Sequence, residues 1–404
     1  KAVDSEGLES ETKQVTFFNG VQQIPLYDGW SMISSFLDPA THNLETIMAG
    51  PVGQNLLTVM INNQGKIFWP SQNLNLIGDW TTAAAYKVLM NGETSLILGG
   101  ETVNETTVSL DAGVNYLPVL SNVETPIADA FENPMEDICV IYENHTNHIY
   151  WPDGGIFSLS ALTPGMGYLA NMKNPAQVTF PDYDMIPNGT SMPKSGIITE
   201  GPWPLTRTGN VHLVSVSGEA LATIQDSDFL GAFDSEGNCI GFAETGNGSE
   251  NILLTLYSVD AYNPDSQGAV EGEPVSFRTW SYNDGENPVT AIYNEHFPNH
   301  DGSFTTDGLS MISHFLKSST GIANPTDSES IRIYPNPADD EIHFVNNKQS
   351  TISAVLINAE GVAFKSLLLE PDKTSIRVDN LPPGVYFLKL IQNNHLQMRK
   401  VIIK

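Results

Sequence analysis

Three groups of residues in this chain could do chemistry. The first is the turn-rich stretch DSDFLGAFDSEGN, which holds Asp226, Asp228, Asp234 and Asn238. Carboxylates and amide oxygens gathered at turns are the ligand set that calcium prefers, so Ca2+ is the candidate cofactor there. Asp301 and Asp307, in HDGSFTTDG, offer a weaker second set. Neither stretch has EF-hand spacing, and the plainer reading is a pair of solvated acidic turns. The second group is Trp69 and Trp151, each placed between an aromatic residue and a proline. Their flat rings could stack on a glycan, whereas the plainer role is to anchor a small core. The third group is histidine: His145 and His148 beside Glu143, and His296 and His300 beside Glu295 and Asp301. These are transition-metal ligand types, but they lie in polar, turn-like segments where surface histidines are common.

Enzymatic signatures are missing. The sequence has no nucleophile elbow, phosphate loop, HExxH motif or paired zinc cysteines. Acid pairs carry no information in a chain with 47 Asp and Glu. The expectation is therefore a protein with no catalytic residues of its own. Cys139 and Cys239 stand a hundred residues apart, and their spacing leaves both a bridge and two separate thiols open.

The elements that would position these groups are set out by charge and repetition. Lys plus Arg is 18 against 47 acids, for a net charge of -29. That balance opposes nucleic acids and anionic membranes as partners, because both need clustered cations. Residues 325–404 carry 9 basic and 9 acidic side chains, so the whole excess lies before residue 325 and marks a domain break. No apolar run approaches the length of a membrane span. A chain beginning at Lys1 suggests a processed protein or a piece of a longer one.

Two stretches repeat. Phe68-Trp69-Pro70 and Tyr150-Trp151-Pro152 are each followed by a tyrosine 17 residues after the tryptophan, Tyr86 and Tyr168. Upstream, GWSMISSFLDP at 29–39 answers to GVNYLPVLSNV at 113–123, and each precedes a stretch with helical spacing. This predicts tandem small α+β modules at 15–104 and 105–181, after a polar arm at 1–14. DGWSMISSFL at 28–37 returns as DGLSMISHFL at 307–316, but in different surroundings, and reads as shared strand chemistry rather than a module. A linker at 182–200 precedes short apolar runs at about ten-residue intervals over 201–316, the pattern of a β-sandwich. After a second linker at 317–330, residues 331–404 alternate cleanly and predict a seven-stranded, Ig-like C-terminal β-sandwich. The fold class is mainly β and multi-domain.

The last segment carries four ordered motifs: Tyr334-Pro335-Asn336-Pro337, VLINAEGVAF, the run Leu381-Pro382-Pro383-Gly384-Val385-Tyr386-Phe387, and Lys400 to Lys404. Together they resemble the type A C-terminal sorting domain of the bacterial type IX secretion system. DSDFLGAFDSEGNCIGFAE, GEPVSFRTWSY and FTTDGLSMIS resemble a β-rich module often found upstream of such tails. The Trp-Pro modules resemble GWNLISS-type repeats of surface proteins. The resemblance implies a secreted or cell-surface protein of a Gram-negative bacterium, exported through the periplasm and outer membrane. Its implied partners are the outer-membrane translocon and a β-barrel shuttle protein, a sortase-like cysteine peptidase that removes the tail, and a lipopolysaccharide anchor. The cargo is expected to act in adhesion or in binding a glycan or other surface ligand. The alternatives are the non-catalytic C-terminal part of a larger secreted hydrolase and a structural subunit of a surface assembly.

Overall fold

The computed structural model describes residues 20–131, 135–180, 200–246, 248–263, 266–317 and 331–404, less 347–351, 359–362, 370–374, 380, 393 and 394. The arm 1–14 and, apart from Glu200 and Lys317, the two linkers lie outside the described residues.

The repeat is a repeat of backbone geometry. In the first module an antiparallel sheet runs in the order Gly29–Ser34, Ala85–Met90, Leu57–Asn62, Ile67–Trp69, Leu74–Asn75. The second module has the same order: Gly113–Pro118, Gly167–Met172, Ile138–Tyr142, Ile149–Trp151, Ile156–Phe157. A register shift recurs between Leu57 and Val59 and between Ile138 and Val140. Left-handed backbone recurs too, at Gly65 and Asn147, Asn73 and Gly155, Ala83 and Gly165. These positions force tight turns, so they fix loop lengths even where the side chains differ.

The tryptophan and tyrosine mark the same two corners in each copy. Proline cannot donate to a ladder, so the strand stops at Trp69-Pro70 and at Trp151-Pro152. The chain then turns under a hydrogen bond, from the Asn73 N–H to Pro70 O and from the Gly155 N–H to Pro152 O, both 3.0 Å. The buried hydroxyl of Tyr86 accepts from the Thr81 N–H at 2.7 Å, and that of Tyr168 accepts from the Thr163 N–H at 2.8 Å. Each tyrosine thus ties down the loop five residues before it, and the constant spacing from tryptophan to tyrosine follows from that tie.

The modules dock on each other through Ser34. Its N–H donates to Gly165 O at 3.0 Å, its hydroxyl donates to Met166 O at 2.5 Å, and that hydroxyl accepts from the Val119 N–H at 3.0 Å.

Residues 201–317 supply their two layers from one sheet. Seven strands run in the order Cys239–Glu244, Phe229–Phe233, Ser276–Ser281, Gly285–Tyr293, Leu309–Lys317, Val211–Val216, Ile252–Tyr257. The sheet rolls up until its two outer strands lie side by side. A Cβ on Gly241 would sit 2.2 Å from Thr255 O, so only glycine fits at this seam. Leu230, Ile240, Leu254, Phe277, Phe304 and Phe315 fill the interior.

The rolled sheet is fused to the modules by an apolar cluster shared among all three. Met32 comes from the first module, Tyr142, Ile149 and Trp151 from the second, and Leu213, Tyr257 and Leu309 from the rolled sheet. Polar pins surround it. Trp30 Nε1 donates to Asp260 Oδ2 at 2.6 Å, and Ser215 Oγ and Asn251 Nδ2 both donate to Gly154 O, at 2.7 and 2.8 Å. Lys87, only 4% exposed, donates to Gly209 O at 2.7 Å. Burial lowers the Lys87 pKa, and the charges of Asp307 and Asp260 partly offset that.

Among the described residues the final unit is a seven-stranded sandwich. One sheet holds Ile331–Tyr334, Glu341–Asn346 and Ser375–Arg377; the other holds Ala363–Leu369, Ile352–Asn358, Gly384–Gln392 and His395–Ile403. Ala338, Ile342, Leu356, Tyr386, Leu388 and Val401 lie in its core.

Candidate functional site

Three sequence motifs of the last unit, spread over 70 residues, converge on its terminal strand. Asn336 is the clamp. Its Nδ2 donates to Lys400 O at 2.8 Å, and its Oδ1 accepts from the Ile402 N–H at 2.9 Å. Next to it the Ala338 N–H donates to Ile402 O at 2.8 Å, and the Lys404 N–H donates to Ala338 O at 2.9 Å. The Tyr-Pro-Asn-Pro turn is therefore laid along the last five residues. The third motif lies on the other side of that strand, with Gly384 opposite Ile403, Val385 opposite Ile402 and Tyr386 opposite Val401. Tyr386 is buried and donates its hydroxyl to Pro382 O at 2.8 Å, which holds the Leu381 to Gly384 corner shut.

Between these ties the surface is open. Tyr334, Pro335, Asn336, Pro337, Pro382, Val385, Lys400 and Lys404 are exposed, with Tyr334 at 51% and Val385 at 40%. The result is a composite patch of apolar side chains flanked by two cations, which exists only when the domain is folded. Replacing Asn336 by Ala removes two hydrogen bonds from the clamp, and it should lower the stability of this domain by about 1–2 kcal/mol. Hydrogen exchange at Val401–Ile403 would show it as faster opening, with the modules unaffected.

The other sequence candidates do not form comparable sites. Trp151 is 1% exposed, packed edge-on to Phe297 at 5.9 Å between ring centroids, and has no face to offer a sugar. Trp69 is half-buried against Tyr262 at 5.3 Å. The four proposed calcium ligands are split by the strand Phe229–Phe233. Asp226 and Asp228 precede it and Asp234 and Asn238 follow it, so the groups stand about 20 Å apart at ~3.3 Å per residue. Asp234 closes its own turn instead, accepting from the N–H groups of Glu236 and Asn238, while Asp228 accepts from the Tyr282 N–H. Glu143 holds the turn of His145 by accepting from the N–H groups of His145 and Thr146. Among the described residues, no group of three or more His, Cys, Asp and Glu is gathered as a metal site. Cys139 and Cys239 are both free thiols, and burial pushes the Cys239 thiol up to about 11.

One contact invisible in the sequence has the outline of catalytic chemistry. His212 Nε2 lies 2.6 Å from Ser310 Oγ. However, His212 Nδ1 accepts from the Thr305 N–H at 3.0 Å, so the ring proton sits on Nε2 and is donated to the serine. Ser310 in turn donates to Asn299 O, so the imidazole has no lone pair with which to take the serine proton. Burial holds the His212 pKa down to about 4. The linked stability is complete above pH 6.5 and is lost as pH falls from 6.5 towards 4, because only the unfolded ring takes up a proton in that window. The loss should reach about 3 kcal/mol. Hydrogen exchange of Val211–Val216 across this range should show it, and the slope should be shallower in His212→Gln.

Comparison with known proteins identifies the last unit. Residues 332–404 match the family model described as "Secretion system C-terminal sorting domain". No curated protein matches the chain. Among solved structures it is similar to a chain titled "Biofilm associated protein - BSP domain", at 10% identity and a TM-score of 0.16, covering 98% of this chain and 68% of that one. No helix among the described residues is long and apolar enough to cross a membrane. Residues 332–404 are a type IX C-terminal sorting domain, a tail that implies secretion to the cell surface or outside.

Proposed function

We propose that residues 20–317 are non-catalytic cargo, displayed at the surface to bind glycans or neighbouring surfaces in adhesion. The observation that carries this reading is the fusion of three modules around the shared cluster of Met32, Trp151, Leu213 and Leu309. A body fused in this way resists rotation between its parts, which suits a protein that must hold a partner under load. The sorting domain is the separate address, and its composite patch is the surface that a β-barrel shuttle would grip at the outer membrane. Cleavage by a sortase-like cysteine peptidase would fall within 317–330 and free a C-terminus for a lipopolysaccharide anchor.

The test is adhesion of cells that display the full chain, compared with cells lacking it, on glycan-coated and cell-coated surfaces. Display should raise adhesion, and equal adhesion on every surface would reject the reading.

A further inference from the structure

The rolled sheet and the second module line an open cavity of about 230 Å³, and none of its lining residues belongs to the sorting domain. This is smaller than the ~300–1,000 Å³ typical of sites for drug-sized ligands, and suits one ring. Its lining includes Asn147, Arg207, Phe242, Glu244, Thr255 and Tyr257.

Arg207 is the one cation in this lining. Lys173 pairs with Asp153 at 3.1 Å and Arg278 pairs with Glu286 at 2.9 Å. Lys87 is committed to Gly209 O. Arg207, although exposed in a chain of net charge -29, forms no ion pair or hydrogen bond among the described residues. A guanidinium left without an acid at the mouth of a cavity presents a planar fork of donors that fits a carboxylate.

The remaining walls narrow the ligand. Thr255 is 5% exposed and closes the inner wall of the cavity. The Asn147 amide and the Tyr257 hydroxyl hold each other, with the Asn147 Nδ2 donor 3.1 Å from the phenol oxygen, and so form a fixed polar edge. The half-buried Phe242 ring is a flat apolar wall. One carboxylate, several hydroxyls and one apolar face describe a uronic-acid ring.

We propose that this cavity binds a carboxylate-bearing sugar ring of a surface glycan, with Arg207 on the carboxylate, the edge of Asn147 and Tyr257 on the hydroxyls and Phe242 against the ring face. The proposal rests on the adhesive reading and gives it a ligand class. Glu244 lines the same cavity and is exposed, so it repels the ligand carboxylate and restrains affinity.

The experiment is titration of the full chain with D-glucuronate, with D-glucose and acetate as controls, followed by NMR or calorimetry. Glucuronate should bind and each control should bind at least about tenfold more weakly, since each lacks one half of the recognition. Arg207→Ala should weaken glucuronate at least about tenfold, and Glu244→Gln should tighten it about twofold. Both positions are exposed, so the fold should survive. Absent glucuronate binding, equal binding of glucose, or an Arg207→Ala variant that binds as well as the parent would each overturn the site. If cells displaying the chain adhere while the chain ignores glucuronate, this site is wrong and the adhesive reading stands. Glucuronate binding by a chain that fails to promote adhesion supports the site and rejects that reading.

Discussion

A chain ending at residue 330 is expected to remain in the periplasm, with the full-length chain reaching the surface in parallel cells. The truncation is a clean test of address because the strands of 331–404 pair only with one another among the described residues. Removing them leaves the rolled sheet and both modules with every strand partner they have. Loss of surface display would therefore report a missing signal and not a collapsed cargo. Fractionation with protease shaving of intact cells reads it out, and surface display of the truncated chain would contradict the assignment.

The largest effect expected of a single substitution is at Trp151. Its ring lies 1% exposed in the cluster shared by modules and rolled sheet, and a Cβ on Gly154 would stand 2.5 Å from it. That close seat places Gly154 O where Ser215 and Asn251 can both donate to it. Trp151→Ala should cost about 3–5 kcal/mol, because no neighbour can fill the space without disturbing the docking of the second module. The equivalent change, Trp69→Ala, should cost about 1 kcal/mol, since that ring is only half-buried. Urea unfolding of the two variants measures the contrast. Equal losses would mean that the repeat positions share one role and that the fusion does not depend on Trp151.

This pair also shows what the sequence could and could not reveal. Trp69 and Trp151 are legible as a repeat because proline and left-handed turn residues fix local geometry, and Tyr86 and Tyr168 because each ties back only five residues. The difference between the two tryptophans is set by Tyr262 and Phe297, well over a hundred residues later in each case, and no local pattern carries it. The same holds for the polar pins. Gly154 and Ser215, or Lys87 and Gly209, are ordinary residues until the rolled sheet docks.

The four candidate calcium ligands stand apart for a related reason. Asp228 and Asp234 are close in sequence, but the strand between them, Phe229–Phe233, carries them to its opposite ends. The sorting motifs show the reverse case. Asn336 and Lys400 are 64 residues apart and in hydrogen-bond contact, and they were legible because each motif is distinctive on its own. Their convergence into one patch was not legible, since it depends on the register that sets Val385 against Ile402.

If residues 331–404 act as a self-contained export address whose signal is a folded surface, they should carry a foreign protein with them. The most direct measurement is to attach residues 318–404 to the C-terminus of an unrelated periplasmic protein, in a bacterium with the type IX system, and to assay its protease accessibility on intact cells. The passenger should move to the surface, and Asn336→Ala, which loosens the clamp on the terminal strand, should reduce the fraction that arrives. A passenger that stays in the periplasm while the native full-length chain reaches the surface would contradict it.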